Sequence, residues 1–369
     1  MKTIRRLIHR EVLAAVGFVT LGFLALFFFF DLVDELRWVG RSPAGGYQLP
    51  QALLFVTLAL PNHLYELLPI TVLIGTIFVM ARLAQSSEFT IMRTSGLGPW
   101  RALRTLLTLG GLFVLLTFAI GDYLAPLADR AAQLVKARYQ GVLTTGATGA
   151  WLRETQGENS FVVNVRAIGP DGHMQGLRVF GFDTQGRMVS RTDAAGAQFA
   201  PEGGWLLQQI RHTSYELAQG DTPAHVGVLE LAQWHWPTQI SADMVAAAVL
   251  KPDRMATIDL FQYIRHLEAN GQAAQRYEIE FWRKVFYPIS CLVMVVLALP
   301  FAYLHFRSGG IASYVFGGVM AGISFFLLNN VFGFVGNLQH WAPWVAAAVP
   351  GLLYSLLSLA AFGWLVLRR

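Results

Sequence analysis

The stretch that decides the fold is Val12-Leu-Ala-Ala-Val-Gly-Phe-Val-Thr-Leu-Gly-Phe-Leu-Ala-Leu-Phe-Phe-Phe-Phe30. It holds no ionisable side chain. As a helix rising about 1.5 Å per residue, it nearly covers the ~30 Å hydrocarbon core of a bilayer. A secretory leader is shorter and ends in small residues at a cleavage site. Here the basic start Met1–Arg10 precedes the run and Asp31-Leu-Val-Asp-Glu35 follows it, so the reading is an uncleaved first span.

Working outward, five more stretches qualify: Leu64–Met80, Ala102–Ile120, Val285–Leu304, Ile311–Val335 and Pro343–Leu367. The second is preceded by Gln51–Leu60, and Pro61 and Pro69 mark a bend or a start within it. Inside hydrocarbon each segment must satisfy its own backbone, so all six are expected to be helices. Composition agrees. Of 369 residues 54% are hydrophobic and only 14% charged, against about 25% charge in an average globular chain.

The charges sort by side. With the N-terminus inside, the inner segments hold Lys2, Arg5, Arg6, Arg10, Arg82, Arg93, Arg101, Arg104, Arg307, Arg368 and Arg369. The short outer loops hold Arg37 and Arg41, balanced by Asp31, Asp34 and Glu35. The positive-inside rule then puts both termini in the cytoplasm and the large segment after span three on the opposite side. The net charge of +5 forms no continuous basic stripe, which argues against nucleic acid as a partner.

That large segment, residues 141–252, changes character. Phe161-Val-Val-Asn-Val-Arg, Leu177-Arg-Val-Phe-Gly-Phe, Trp205-Leu-Leu-Gln-Gln-Ile and His225-Val-Gly-Val-Leu-Glu-Leu are short and partly alternating. Turn clusters separate them: Gly169-Pro-Asp-Gly, Asp183-Thr-Gln-Gly, Pro201-Glu-Gly-Gly and Gln219-Gly-Asp-Thr-Pro. An all-β sandwich or open barrel is expected. The chain therefore divides into 1–140 with spans one to three, 141–252 as the β domain, and 253–369 with a linker helix and spans four to six. The linker helix is read as Thr257–Ala269, capped by Thr257 and stopped at Asn270-Gly271; the next helix starts near Gln272.

No phosphate-binding G-x-x-x-x-G-K-[ST] loop, H-E-x-x-H pair or G-x-S-x-G elbow occurs, so no catalytic centre or cofactor is expected in this chain. The single cysteine, Cys291, sits in an apolar run and excludes an intrachain disulfide. His63 and Glu66 in span two and Asp122 at the end of span three are the chief ionisable groups within spans. Solvation near the outer interface and a proton relay are the two readings for them.

Three features remain. The inner loop between spans two and three, about 83–96, reads as a short surface helix. Ser86 or Ser87 caps it, Gly96 ends it, and Pro99 blocks continuation. Glu88, Ile91, Met92 and Ser95 share one face by helical spacing. Such a helix either rests on headgroups or docks into a cytoplasmic partner. In span five, Gly317, Gly318 and Gly322 leave a smooth face, suited to packing within the chain or to a seam against another subunit. Finally, Arg130, Lys136 and Arg138 after span three, with Arg37 and Arg41, either ring an outer mouth that attracts phosphates or are solvated surface charges.

In combination, several motifs resemble the LptF/LptG permease family of the lipopolysaccharide-export ABC transporter of Gram-negative bacteria. They are Leu83-Ala-Gln-x-Ser-Glu88 with Met92-x-x-Ser95-Gly96, and Gly121-x-x-x-Ala125-Pro126. The third group runs from Pro252-Asp253 through Gly271-Gln272-x-Ala-x-Arg276-Tyr277 to Trp282-x-Lys284, Pro288 and Met294. The resemblance covers essentially the whole chain, and the stretch entering span four sides with one of the family's two branches.

It implies a polytopic inner-membrane permease of six transmembrane helices with a periplasmic jellyroll-like β domain between helices 3 and 4. It also implies an LptF-like paralogous permease as partner and an LptB-like ATPase dimer that binds the ATP and Mg²⁺. LptC/LptA-like bridge proteins and lipopolysaccharide itself complete the set. Ser87, Glu88, Ile91, Met92, Ser95 and Gly96 would form the ATPase-coupling helix. Arg37 and Lys136, with Arg41, Arg130 and Arg138 nearby, would contact phosphates of the lipid. One departure stands out: the family commonly carries a basic residue at the outer end of span one, and here that position is Asp31.

Overall fold

The computed structural model describes residues 2–40, 47–140, 149–168, 173–200, 202–216, 224–241, 244–245, 252–303 and 311–367. The chain forms two compact units: Met1–Asp34 with Val56–Asp129 and Gln275–Arg369, and Glu35–Phe55 with Arg130–Ala274.

The first unit is built of apolar helices. Helix α1 is Lys2–Leu36 and α2 is Leu49–Gln85. Of the two readings of Pro61 and Pro69, a start is not realised: α2 runs through both as one helix. Each proline withdraws one N–H from the helical ladder, a loss that membrane helices tolerate where neighbouring groups re-satisfy the freed carbonyl. A short helix α3, Glu88–Thr94, precedes α4, Pro99–Ala119, which has Pro99 in its first turn.

The third span does not stop at Ile120. It passes through a π-helical turn, Ile120–Leu124, into α5, Ala125–Gln140. Within this turn Gly121 O accepts a 3.0 Å hydrogen bond from the buried Lys284 ammonium. A Cβ on Gly121 would lie 2.3 Å from the Tyr65 ring, so glycine is required where α2 approaches the turn.

The fourth span, expected as one helix from Val285 to Leu304, is broken. Helix α7, Gln275–Phe286, and α8, Ile289–Ala298, which continues as a 3₁₀ turn to Tyr303, meet at 49°. Pro288 sits in the gap and has no N–H to carry the ladder across. Helices α9, Ile311–Leu338, and α10, Pro343–Leu367, complete the unit. Among the described residues, five helices are long and apolar enough to cross a membrane, and six if the bent pair counts as one span.

The expected β domain is present in the second unit as a six-stranded antiparallel sheet in the order β1-β2-β3-β4-β5-β6, a meander in which each strand pairs with its neighbour in the chain. The strands are Ala150–Gln156, Asn159–Ile168, Met174–Phe182, Met188–Phe199, Trp205–Glu216 and His225–Trp236. Four were legible as alternating runs; β1 and β4 were not. β4 carries Ser190, Arg191, Thr192 and Asp193 and has no apolar alternation to read. Leu152, Val163, Val165, Leu177, Val179, Ala194 and Ile210 form its buried core. Registers such as Leu152↔Val163↔Val179 and Leu177↔Ala194↔Ile210 place them across from one another.

The fully buried Trp205 donates its indole N–H to Ile240 O at 2.9 Å, tying down the chain that leaves β6. Buried Glu154 holds the same segment, accepting from Thr238 Oγ1 and Gln239 N, each at 2.5 Å. Helix α6 is Thr257–Ala269, but Thr257 is its first helical residue and Ala256 holds the cap position. Its stop is as expected: Gly271 has φ +62°, and Gln272 N reaches back to Leu267 O at 2.8 Å. The following helix, α7, begins at Gln275 rather than near Gln272.

Candidate functional site

The inner loop folds as a helix with one face anchored and one free. Ser87 occupies the cap position in a left-handed conformation, φ 60°, and its side chain makes no capping bond. Termination is tighter: Gly96, φ +98°, places its N–H on Arg93 O at 2.9 Å, and Leu97 N reaches Met92 O at 3.0 Å. This paired pattern closes the helix and requires a residue that tolerates positive φ.

Phe89, Met92 and Leu97 are buried and join the bundle core that includes Leu83 and Tyr303. Phe89 meets the Tyr303 ring edge-on at 4.9 Å, and the Arg93 guanidinium lies 5.4 Å from the same ring. Glu88, Ile91 and Ser95 are exposed, Ile91 to 63%. Met92 therefore does not share the free face with Glu88, Ile91 and Ser95; it fixes the helix to its own chain.

Helices α1 and α2 are fastened along their length. Arg82 donates to Glu11 at 2.6 Å near one end. Further along, a Cβ on Gly75 would lie 2.7 Å from Val16 N, a backbone atom that cannot yield. Thr20 Oγ1 donates to Thr71 Oγ1 at 3.0 Å. At the C-terminal end of α1, Asp31 Oδ2 meets His63 Nε2 at 2.7 Å while Phe27 stacks on the imidazole at 4.8 Å. Asp31 thus stands in an ion-pairing position with His63 of α2. Glu66 accepts from Asn62 Nδ2 at 3.1 Å.

The glycines of α9 separate. A Cβ on Gly318 would come within 2.7 Å of Ile77 Cδ1, and one on Gly322 within 2.8 Å of Ile70 Cγ2, so both face α2 of the same chain. Gly317 has nothing within 4 Å of its Cβ position.

Among the basic residues, two are committed to carboxylates. Arg130 pairs with Asp259 of α6. Lys136 pairs with Glu35 at 3.2 Å, and its ammonium lies 4.7 Å from the Phe55 ring centre and 6.0 Å from that of Trp38. Glu35 is buried, and its other oxygen accepts from the Tyr47 hydroxyl at 2.6 Å. Burial, the hydrogen bond to Glu35 and the Glu35 charge, in that order, push the Tyr47 phenol well above its ordinary pKa. Arg37 is exposed in the turn after α1. Arg41 and the Arg138 side chain lie outside the described residues.

The sequence reading missed Glu35 and Tyr47 as members of this cluster. The available signal was the run Asp31-x-x-x-Glu35, two carboxylates one helical turn apart at the end of an apolar span.

These features lie within a family. The family model described as "Lipopolysaccharide export system permease LptF/LptG" matches residues 6–367. The chain belongs to the LptF/LptG permease family. Among its relatives is the lipopolysaccharide export system permease protein LptG of Escherichia coli strain K12. That protein is 29% identical over 340 residues, covering 91% of this chain and 90% of the relative. The LptG of Haemophilus influenzae is 26% identical over 376 residues, covering 100% and 99%. The branch favoured by the residues entering span four is thus the LptG branch, and the chain is a multi-pass membrane permease of that type.

Proposed function

We propose that this chain is the LptG-type permease subunit that takes lipopolysaccharide out of the inner membrane and delivers it toward a periplasmic protein bridge. The observation that carries the reading is the match of an export-permease family over residues 6–367, on a chain whose apolar helices are interrupted once by a β-sheet unit. In this reading both termini are cytoplasmic and the β unit is periplasmic, as the positive charges of the short segments favour. An LptF-like subunit completes the pathway, and LptC/LptA-like proteins continue it.

ATP and Mg²⁺ are bound by an LptB-like ATPase dimer that docks on the free face of α3, with Glu88, Ile91 and Ser95 in contact and Ser87 and Gly96 shaping its ends. Met92 supports that face from behind. Lys136 and Arg130, with Arg37, Arg41 and Arg138, meet the phosphates of the lipid. The permease supplies no bond-breaking chemistry of its own. It converts movement of a bound motor into movement of helices.

The reading is tested by replacing single residues of α1 and α9 with a photo-crosslinking amino acid in cells. Lipopolysaccharide adducts that accumulate on some positions and not others are expected. Adducts at none of them, in a strain whose export depends on this chain, would refute the function.

A further inference from the structure

Lys136 is the partly exposed cation proposed above to meet a phosphate, yet it is already engaged. Its ammonium is 3.2 Å from Glu35 Oε2, and the Lys136 side chain is 28% exposed while that of Glu35 is 7% exposed. A carboxylate so enclosed is costly to leave without a partner. Glu35 has a second one: the Tyr47 hydroxyl, itself fully buried, donates to Oε1 at 2.6 Å. Tyr47 therefore keeps Glu35 hydrogen-bonded if Lys136 leaves, which makes an exchange of anions on Lys136 feasible.

The exchange is selective by charge. An incoming group must bind the ammonium better than a carboxylate already in place. A phosphate monoester, carrying about −1.5 to −2 charge near neutrality and three acceptor oxygens, meets that condition. A phosphodiester or a carboxylate, with a single negative charge, does not.

We propose that Glu35 is an internal counter-ion that sets the threshold an anion must pass to hold Lys136, one that the dianionic phosphate of lipopolysaccharide passes and the phosphodiester lipids around it do not. The inference rests on the reading of Lys136 as a phosphate contact. No covalent step is involved. One anion replaces another on the ammonium, and Glu35 falls back on Tyr47.

The test uses the full chain in nanodiscs of zwitterionic lipid, titrated with lipopolysaccharide, with phosphatidylglycerol or inorganic phosphate as competitor. Glu35→Gln is expected to lower the lipopolysaccharide midpoint by about three- to tenfold, the scale of releasing one partly buried charge pair. It should lower the phosphatidylglycerol midpoint by the same factor, so that phosphatidylglycerol begins to compete in the variant at concentrations where it does not in the wild-type chain. Tyr47→Phe moves the other way, because Lys136 is then the partner left to the Glu35 carboxylate among the described residues. In Glu35→Gln/Lys136→Gln the gain disappears.

A merely structural role for Glu35 would weaken binding in both single variants. That result, or an unchanged midpoint in a folded Glu35→Gln chain, overturns the inference while leaving the transport function standing. The same gain with dephosphorylated lipopolysaccharide also overturns it. Equal gain for inorganic phosphate upholds the exchange and assigns recognition to the ion alone. Absence of lipopolysaccharide binding by the wild-type chain overturns both this inference and the reading of the site.

Discussion

Replacing residues of α3 one at a time separates its two faces. Met92 is 8% exposed and Phe89 2%, both in the core beside Tyr303. Met92→Ala removes a buried side chain and leaves a cavity, with an expected loss of about 2–3 kcal/mol of stability. Ile91, 63% exposed, packs little against its own chain, so Ile91→Ala should change stability by no more than about 0.5 kcal/mol. Glu88→Lys, also on the exposed side, should be equally mild for folding.

If the free face seats an ATPase, the order reverses for assembly. Ile91→Ala and Glu88→Lys each cost about 1 kcal/mol or more of binding, roughly a fivefold or larger loss of affinity. Thermal unfolding of the purified chain and co-purification of the ATPase with it give the two axes. The reasoning is refuted if Ile91→Ala and Glu88→Lys assemble with wild-type affinity. It is equally refuted if Met92→Ala loses the partner while unfolding normally.

The glycines of the helices make a graded series under thermal unfolding in detergent. Gly75→Ala should destabilise by about 1–3 kcal/mol because Val16 backbone is in the way. Gly318→Ala and Gly322→Ala should cost less, since the tips of Ile77 and Ile70 can move, and Gly317→Ala should be neutral or stabilising by up to about 1 kcal/mol. In the β unit, Glu154→Gln loses charge-assisted acceptance from Thr238 and Gln239 and should cost about 1–3 kcal/mol, read as a lower unfolding midpoint and faster proteolysis near residue 240.

His266 supplies a pH dependence. Burial holds its pKa below the ordinary 6.5, partly opposed by the Glu154 charge. The unfolded state therefore takes up protons first as pH falls, and the stability His266 contributes, present above about pH 6.5, is lost as pH drops through the folded value. The unfolding midpoint should decline as pH falls below about 6.5, and His266→Gln should flatten that slope. An unaltered slope in the variant would show that another group titrates.

The helices of the first unit were readable because a long apolar run has few alternatives in hydrocarbon. Its interruptions were less so. A π turn at Ile120–Leu124 and the bend at Pro288 depend on what sits opposite them, here Tyr65 and Lys284 at Gly121, which lie far away in sequence. The β unit was legible where strands alternate and opaque at β4, whose polar residues take strand conformation because β3 and β5 pair with them on both sides. Spacing put Met92 with Glu88 and Ile91, since the four positions lie within one arc of a helix. Which part of that arc is buried depended on where Tyr303 sits.

Residue order and composition suffice to establish that the chain crosses a membrane repeatedly, that one β unit interrupts the helices after the third, and that a helix with a defined stop lies between spans two and three. Hydrophobic length, charge asymmetry and turn chemistry are local, and local signals survive without coordinates. Packing alone reveals which glycines of α9 face α2, which side of α3 is exposed, and that Lys136 and Arg130 are already paired with Glu35 and Asp259. Each of these is a relation between residues distant in the chain, and a charge or a gap acquires its meaning from whatever the fold brings opposite it.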